Sequence, residues 1–141
     1  MTLLPDINLW LALVFERHFH HRAANAWFLE QEIGSCHFCR ITQQGLLRLA
    51  SNPRVFADEA VTLHGAWQLY DSLLSDERIR FAPESPGLEP HWRSHAQGRT
   101  FSPHVWSDAY LVAFARAASL TVVTFDRGLS SYAGVECQVL S

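Results

Sequence analysis

Short apolar runs alternate along this chain with longer segments whose apolar residues recur at the three- and four-residue spacing of a helix. The short runs predict five strands, at residues 3–4, 35–38, 78–82, 121–124 and 135–140. The longer segments predict helices over residues 7–15, 20–31, 41–50, about 60–74, 90–98 and 104–118. Strands that alternate with helices need crossover connections, so the pattern predicts an α/β fold with a mostly parallel sheet covered on both faces.

Local signals predict where several of these helices begin and end. The Asn-Pro pair at residues 52–53 ends the third helix, and the acidic pair at 58–59 suits the start of the fourth. The Ser-Pro pair at 102–103 is typical of an N-cap followed by the first helical position. The spacing of apolar residues predicts that the apolar face of the fourth helix consists of Ala60, Leu63, Trp67, Tyr70 and Leu74.

Composition narrows the class of protein. A chain of 141 residues fits one domain over 1–141, and a net charge of −3 excludes a uniformly basic nucleic-acid-binding protein but leaves a local basic patch open. Three cysteines, an odd number, favour a reducing compartment, and we expect a cytoplasmic protein. The apolar start lacks a basic segment and contains Pro5 and Asp6, and no run approaches the length of a membrane span.

Three aspartates stand where a parallel sheet places its functional crevice. Asp6 and Asp126 follow predicted strands, and Asp108 lies near the start of the most apolar helix. Carboxylates that converge repel each other unless a cation neutralises them, and ligands that are all oxygen suit Mg²⁺ or Mn²⁺. Each residue also has a structural interpretation: Asp6 as a helix N-cap, Asp108 as a first-turn charge, and Asp126 as part of a turn.

The sequence resembles the PIN-domain ribonucleases, specifically the VapC toxins of prokaryotic toxin–antitoxin pairs, in blocks at residues 4–13, 20–27, 40–53, 106–115 and 123–129. The resemblance implies a three-layer α/β/α PIN-like fold with short strands. It also implies that Asp6, Asp108 and Asp126 are the catalytic and metal-binding carboxylates of a Mg²⁺-dependent endoribonuclease, with Mn²⁺ as a possible substitute. The implied partners are an RNA substrate, a VapB-type antitoxin and a second copy of the chain in a homodimer, with no membrane.

One feature departs from that family pattern. Many members have a glutamate in the helix after the second strand, where this chain has Thr42, Gln43, Gln44 and a glycine. By position, Asn8 and Thr42 are candidates to support the site from behind the ligands, and Gln43 or Gln44 to bind a water or a phosphate. Arg40 and Arg127 are candidates to hold phosphates, because a guanidinium suits them.

Two other functions stay open at this stage. Cys36 and Cys39 form a C-x-x-C pair, but no second ligand pair follows at zinc-finger spacing, and a predicted strand places their side chains on opposite faces. The alternative is a non-catalytic RNA- or protein-binding module on the same fold. Tryptophans at helical spacing are more often core or interface residues than base-stacking platforms.

Overall fold

The computed structural model describes all residues, 1–141. Its strands are β1 (Leu3–Pro5), β2 (Cys36–Phe38), β3 (Ile79–Phe81), β4 (Thr121–Thr124) and β5 (Cys137–Val139). Its helices are α1 (Ile7–Val14), α2 (His21–Leu29), α3 (Arg40–Ala50), α4 (Pro53–Phe56), α5 (Leu63–Leu74), α6 (Leu88–Ala96) and α7 (Val105–Ala118), with 3-10 turns at Ala57–Glu59 and Arg127–Ser131. The predicted alternation of strands and helices is confirmed.

The five strands form one parallel sheet in the order β3-β2-β1-β4-β5. Pro5 at the end of β1 lies opposite Val123 near the end of β4. The chain moves outward from β1 through β2 and β3 and then returns to the other side of β1. This reversal between β1 and β4 opens a crevice at their carboxyl ends, which is where open α/β sheets bind ligands.

Helices cover both faces of the sheet, as the predicted three-layer α/β/α fold requires. One core joins the sheet to the early helices, and its fully buried residues include Trp10 and Phe38, whose rings stack with centroids 4.0 Å apart. The other core lies under α6 and α7 and includes Val112 and Phe114. Leu3 faces the first core and its neighbour Leu4 the second, which follows from the alternation of side chains along a strand.

The segment between α3 and α5 differs from the prediction. The Asn-Pro pair ends α3 but also opens the short α4, where Asn52 Oδ1 accepts a hydrogen bond from the Arg54 N–H at 2.9 Å. The acidic pair 58–59 lies in a 3-10 turn after Ala57, whose φ of +50° interrupts the helix. The fourth predicted helix therefore starts at Leu63, where the Thr62 hydroxyl accepts from the Gly65 N–H at 3.0 Å.

The apolar face of α5 is only partly buried. Tyr70 is buried, but Leu63 and Trp67 are 75% and 51% exposed, and the other buried residue of the helix is Ala66. The buried side of the helix, with Ala66 and Tyr70, lies next to the exposed side, with Leu63 and Trp67. Both sides contain large apolar residues, so spacing alone does not decide which of them faces the core. Leu63 and Trp67 thus form an apolar stripe that nothing within the chain covers.

The N-terminus of α7 lies close to the predicted start at about residue 104, but the predicted cap is wrong. The helix begins at Val105 with His104 as its N-cap, and the Ser-Pro pair 102–103 precedes it without capping it. The Ser107 hydroxyl donates to the His104 carbonyl at 3.1 Å, which closes the first turn from inside the helix. Among all the helices, none is long and apolar enough to cross a membrane.

Candidate active site

Asp6 stands at the crevice between β1 and β4. As the N-cap of α1 it accepts a hydrogen bond from the Ile7 N–H on Oδ1 at 2.7 Å, and its other oxygen, Oδ2, accepts from the Thr124 hydroxyl at 2.9 Å. Its own backbone N–H donates to the Val123 carbonyl at 2.8 Å, so both strands position it. The capping interpretation of Asp6 is therefore confirmed, and capping leaves its carboxylate at the crevice.

Asp126 is positioned from the same strand end. Its backbone N–H donates to the Thr124 hydroxyl oxygen at 2.9 Å, and its Oδ1 accepts from the Gly128 N–H at 2.8 Å. It is the N-cap of the 3-10 turn Arg127–Ser131, which explains why the sequence around it has turn character. Asp126 is thus part of a turn, as one interpretation held, and it also lies at the end of β4, as the other required.

Asp108 completes the set from the first turn of α7. Burial and the negative charges of Asp6 and Asp126 raise its pKa to about 6, against the opposing effect of His104 and Arg99. Burial, more than the charge of Asp126, likewise raises the pKa of Asp6, although the hydrogen bonds from Thr124 and Ile7 work against it. The charge of Asp126 therefore acts on both other aspartates, and the charge of Asp6 acts on Asp108.

These carboxylates do not form a closed ligand cage. No three acidic, histidine or cysteine side chains come close enough together to hold a metal ion between them. The donor set nevertheless fits a hard divalent cation that keeps much of its water shell, because it consists of carboxylate oxygens, and the charge of Asp126 helps to raise the pKa of both Asp6 and Asp108. The site fits Mg²⁺ better than zinc, which prefers thiolate and imidazole ligands.

Of the residues predicted to support the aspartates, Thr42 and Gln43 are buried and make hydrogen bonds within or next to α3. Thr42 is fully buried, and its hydroxyl accepts from the Cys39 N–H at 3.0 Å and donates to the Cys39 carbonyl at 3.1 Å. Gln43 is buried and accepts from Arg40 Nη1 at 2.6 Å. Thr42 therefore caps α3, and Gln43 is engaged with Arg40, whose guanidinium also lies 4.7 Å from the centre of the Phe81 ring.

The remaining predicted residues are exposed. Asn8 is in the first turn of α1 and Arg127 directly follows Asp126. Gln44 lines a surface hollow of about 390 Å³ together with Ser107, the neighbour of Asp108. Of the two glutamines, Gln44 is thus the one on the side of α7.

Sequence reasoning missed Thr124, the buried hydroxyl that joins Asp6 to Asp126. The run at 121–124 looks like a β-branched strand, and threonine fits that pattern without a special role. The signal that was present is positional: a hydroxyl at the last strand residue, two positions before an aspartate. Arg99, which influences Asp108 from the loop before α7, was missed as well.

The PIN-domain family model matches residues 3–135. The chain belongs to the PIN-domain family. This PIN domain is 43% identical to Ribonuclease VapC41 of Mycobacterium tuberculosis over 99% of each chain, so it is a VapC relative. Among solved structures it resembles VapBC2 from Rickettsia felis bound to a promoter DNA fragment, with a TM-score of 0.70, 11% identity and 100% of each chain covered. It also resembles Mycobacterium tuberculosis VapC20, with a TM-score of 0.68, 16% identity and 99% and 100% coverage.

The C-x-x-C pair of the PIN domain is divided between two elements. Cys36 lies in β2, but Cys39 is the N-cap of α3, so the prediction that both lie in the strand is wrong for Cys39. Their side chains enter opposite cores, as the opposite-face prediction requires. Both thiols are free and buried, and burial raises the pKa of each. Neither is a ready nucleophile, because the thiolate is the reactive form.

Two of the five tryptophans are buried in the core, as expected, and two are exposed. Trp10 and Trp27 are buried, whereas Trp67 and Trp106 are exposed. Trp92 donates its indole N–H to the Trp106 carbonyl at 3.1 Å, which ties α6 to the first turn of α7.

Proposed function

We propose that this VapC relative is a Mg²⁺-dependent endoribonuclease and the toxin of a VapBC-like pair, with Asp6, Asp108 and Asp126 as its catalytic, metal-binding carboxylates. One observation carries the proposal. Asp6 and Asp126 follow the neighbouring strands β1 and β4, and their negative charges, together with burial, raise the pKa of Asp108 on α7 to about 6. The relative VapC41, at 43% identity over nearly the whole chain, is named a ribonuclease.

The chain's own residues prepare the carboxylates for their task. Thr124 holds Asp6 through a hydroxyl donor and Asp126 through its backbone, while the Gly128 N–H orients the Asp126 carboxylate. When bound, Mg²⁺ or Mn²⁺ supplies Lewis-acid stabilisation of the phosphate charge and activates the attacking water. Cys36 and Cys39 are buried, and the proposed hydrolysis needs no nucleophile from the protein.

The remaining site residues are proposed to act around the substrate. Asn8 and Gln44 are exposed and available to RNA or to water at the crevice, and Arg127 is available to a phosphate. Gln43 and Arg40 act as a pair, since each is held by the other. Thr42 supports the site by capping α3.

The proposed protein partners are a VapB-type antitoxin and a second copy of the chain. The structural neighbour from Rickettsia felis is named as a VapBC complex. An arginine from an antitoxin tail would pair with the acidic crevice through charge-assisted hydrogen bonds. The early helices and the exposed stripe of Leu63 and Trp67 on α5 are our candidate surface for the homodimer. The free cysteines favour the cytoplasm.

Cleavage of single-stranded and structured RNA by the purified chain tests the function. We expect products with Mg²⁺ or Mn²⁺, none with EDTA, and a loss of at least two orders of magnitude in Asp108→Asn. The matched control is Asp71→Asn, an exposed aspartate on α5, which should cleave like the wild type. RNA binding without metal-dependent cleavage, in a protein that melts cooperatively, would favour the non-catalytic binding module instead.

A further inference from the structure

Arg99, in the loop between α6 and α7, is an exposed arginine whose head group is held in one place. Its guanidinium carbon lies 3.5 Å from the centre of the Tyr132 ring, and its Nη1 donates to the Ser131 hydroxyl at 3.0 Å. Tyr132 is buried, and the ring of His95 stands edge-on to it at 5.7 Å. An exposed arginine is normally mobile, so an aromatic platform and a hydrogen bond make this one preorganised.

A continuous chain of contacts connects Arg99 to the acidic site. The Ser131 hydroxyl that accepts from Arg99 donates to the Gly128 carbonyl at 2.7 Å. The Gly128 N–H in turn donates to Asp126 Oδ1 at 2.8 Å. Arg99 therefore rests on the same 3-10 turn that orients Asp126. Its charge also acts on Asp108, whose pKa it lowers against the larger effects of burial and the other carboxylates.

Most N–H groups of the Arg99 guanidinium make no hydrogen bond within the chain. Arg99 takes part in none of the chain's three ion pairs, and its Nε and Nη2 donate no hydrogen bond within the chain. Arg40 and Arg78 are engaged differently, because their guanidinium groups donate to Gln43 and to Asp76. Arg127 is exposed beside Asp126, but no ring or hydrogen bond holds its side chain. Arg99 thus combines free donors, a fixed position and proximity to the carboxylates.

We propose that Arg99, supported by Tyr132 and Ser131, forms a phosphate-binding subsite that holds an RNA phosphate next to the one that is cleaved. The subsite deepens the proposed function and rests on it. A guanidinium fork matches phosphate oxygens, and its preorganisation reduces the entropy lost on binding. Its charge also offsets the repulsion between the RNA backbone and three carboxylates, which otherwise disfavours binding at this crevice.

Steady-state cleavage over a series of salt concentrations tests the subsite. For Arg99→Ala we expect KM to rise about tenfold with little change in kcat, and the slope of log affinity against log salt to fall by roughly 0.7, the value for one lost contact to a single strand. Arg99→Lys keeps the charge and loses the fork, so its slope should match the wild type while its KM lies between the two. Arg48→Ala, an exposed arginine at the far end of α3 from the crevice, is the matched control and should leave both unchanged.

A binding measurement separates this inference from the proposed nuclease function. Fluorescence anisotropy of a labelled single-stranded RNA, read in the Asp108→Asn background, needs no cleavage. Arg99→Ala should weaken that binding about tenfold, and Tyr132→Phe, which keeps the ring under the guanidinium, should not.

Equal affinity and salt slope in the Arg99 variants and the control would overturn the subsite, whether or not the wild type cleaves RNA. A lower melting temperature with unchanged affinity would also overturn it and would mark Arg99 as a structural tie. Failure of the wild type to cleave any RNA would instead count against the nuclease function.

Discussion

The Thr124 hydroxyl donates to Asp6 Oδ2 at 2.9 Å across 118 positions of sequence, and the Thr124 hydroxyl oxygen also accepts from the Asp126 N–H at 2.9 Å. One buried hydroxyl thus joins two aspartates that leave neighbouring strands. Its hydrogen bond to Asp6 works against the effect of burial and keeps the pKa of that carboxyl from rising further. Thr124 therefore couples the position and the charge of the acidic site.

Replacing Thr124 by valine keeps the shape and removes the hydroxyl. We expect Thr124→Val to cleave RNA about 10- to 100-fold more slowly, because a second layer of contacts orients ligating carboxylates. Stability should fall by about 1–3 kcal/mol, since the Asp126 N–H and an Asp6 oxygen lose their partner. Initial cleavage rates and urea unfolding measure the two effects.

Thr124→Ser is the matched control for the missing hydroxyl. Serine retains the donor and acceptor, so its cleavage rate should stay within a few-fold of the wild type. If the valine variant cleaves like the serine variant, Thr124 serves only the packing of β4, and its proposed role in positioning the carboxylates is wrong.

Asp108 makes the stability of the metal-free protein depend on pH. Burial, Asp6 and Asp126 raise its pKa from 3.8 to about 6, so the folded state holds more protons than the unfolded state in that interval. Its contribution to stability is therefore most favourable below pH 3.8 and is lost as the pH rises through about 6. Asp108→Asn should stabilise the EDTA-treated protein at pH 7 by about 1 kcal/mol, less than the full linkage value, because solvent screens a half-buried carboxylate.

The difference in melting temperature between Asp108→Asn and wild type isolates this group from others, such as His95, whose pKa burial lowers. That difference should shrink as the pH falls below about 6 and approach zero well below pH 3.8, where Asp108 is protonated in both states. Asp71→Asn should show no such trend. If Asp108→Asn melts at a lower temperature than the wild type at pH 7, the charge of Asp108 does not destabilise the fold. Asp108 then stabilises the first turn of α7.

The placement of Asp6 and Asp126 at one edge of the sheet could be predicted because it depends on topology. Asp6 and Asp126 follow strands directly in the sequence, and parallel strands place their carboxyl ends at one edge. The contacts within the site could not be predicted, because Thr124 looks like any other β-branched strand residue. Arg99 was missed for a similar reason, since its partners Ser131 and Tyr132 are more than thirty positions away.

The differences between the predicted and the observed helices arise where a local sequence signal fits two structures equally well. Asp58 and Glu59 suit any helix start, and only the positive φ of Ala57 shows that the chain turns there instead. Helical spacing on α5 fits both the stripe of Trp67 and the face of Ala66, and tertiary packing selects the second.

The buried cysteines should be dispensable for cleavage. We expect Cys36→Ser and Cys39→Ser to keep the wild-type rate, because burial raises both thiol pKa values and neither side chain reaches the carboxylates. Cys36→Ser should cost about 1–3 kcal/mol for a buried hydroxyl. Cys39→Ser should cost less, since serine is a preferred N-cap and residue 39 is the N-cap of α3.

Urea unfolding and initial rates of the two single variants check this order. Loss of cleavage in either variant with an unchanged unfolding midpoint would revive a function for the thiols. Bound zinc in native mass spectrometry of the wild type, lost in both variants, would do the same.

The missing acid of α3 can be restored at two positions, and the structure distinguishes them. Gln44 is exposed and shares a hollow with Ser107 beside Asp108, whereas Gln43 is buried and accepts from Arg40. Gln44→Glu should therefore tighten Mn²⁺ binding, by roughly 1 kcal/mol or about fivefold for a charge outside the direct ligands. Gln43→Glu should change Mn²⁺ affinity little, because Arg40 neutralises the new carboxylate where it stands. Isothermal titration of both variants with Mn²⁺ gives the comparison, and Asp71→Asn, at an exposed position on α5, serves as a charge-change control outside α3. Tighter binding in Gln43→Glu, with Gln44→Glu equal to wild type, would mean that the buried face of α3 approaches the cation, and the placement of Gln44 on the metal side would be wrong.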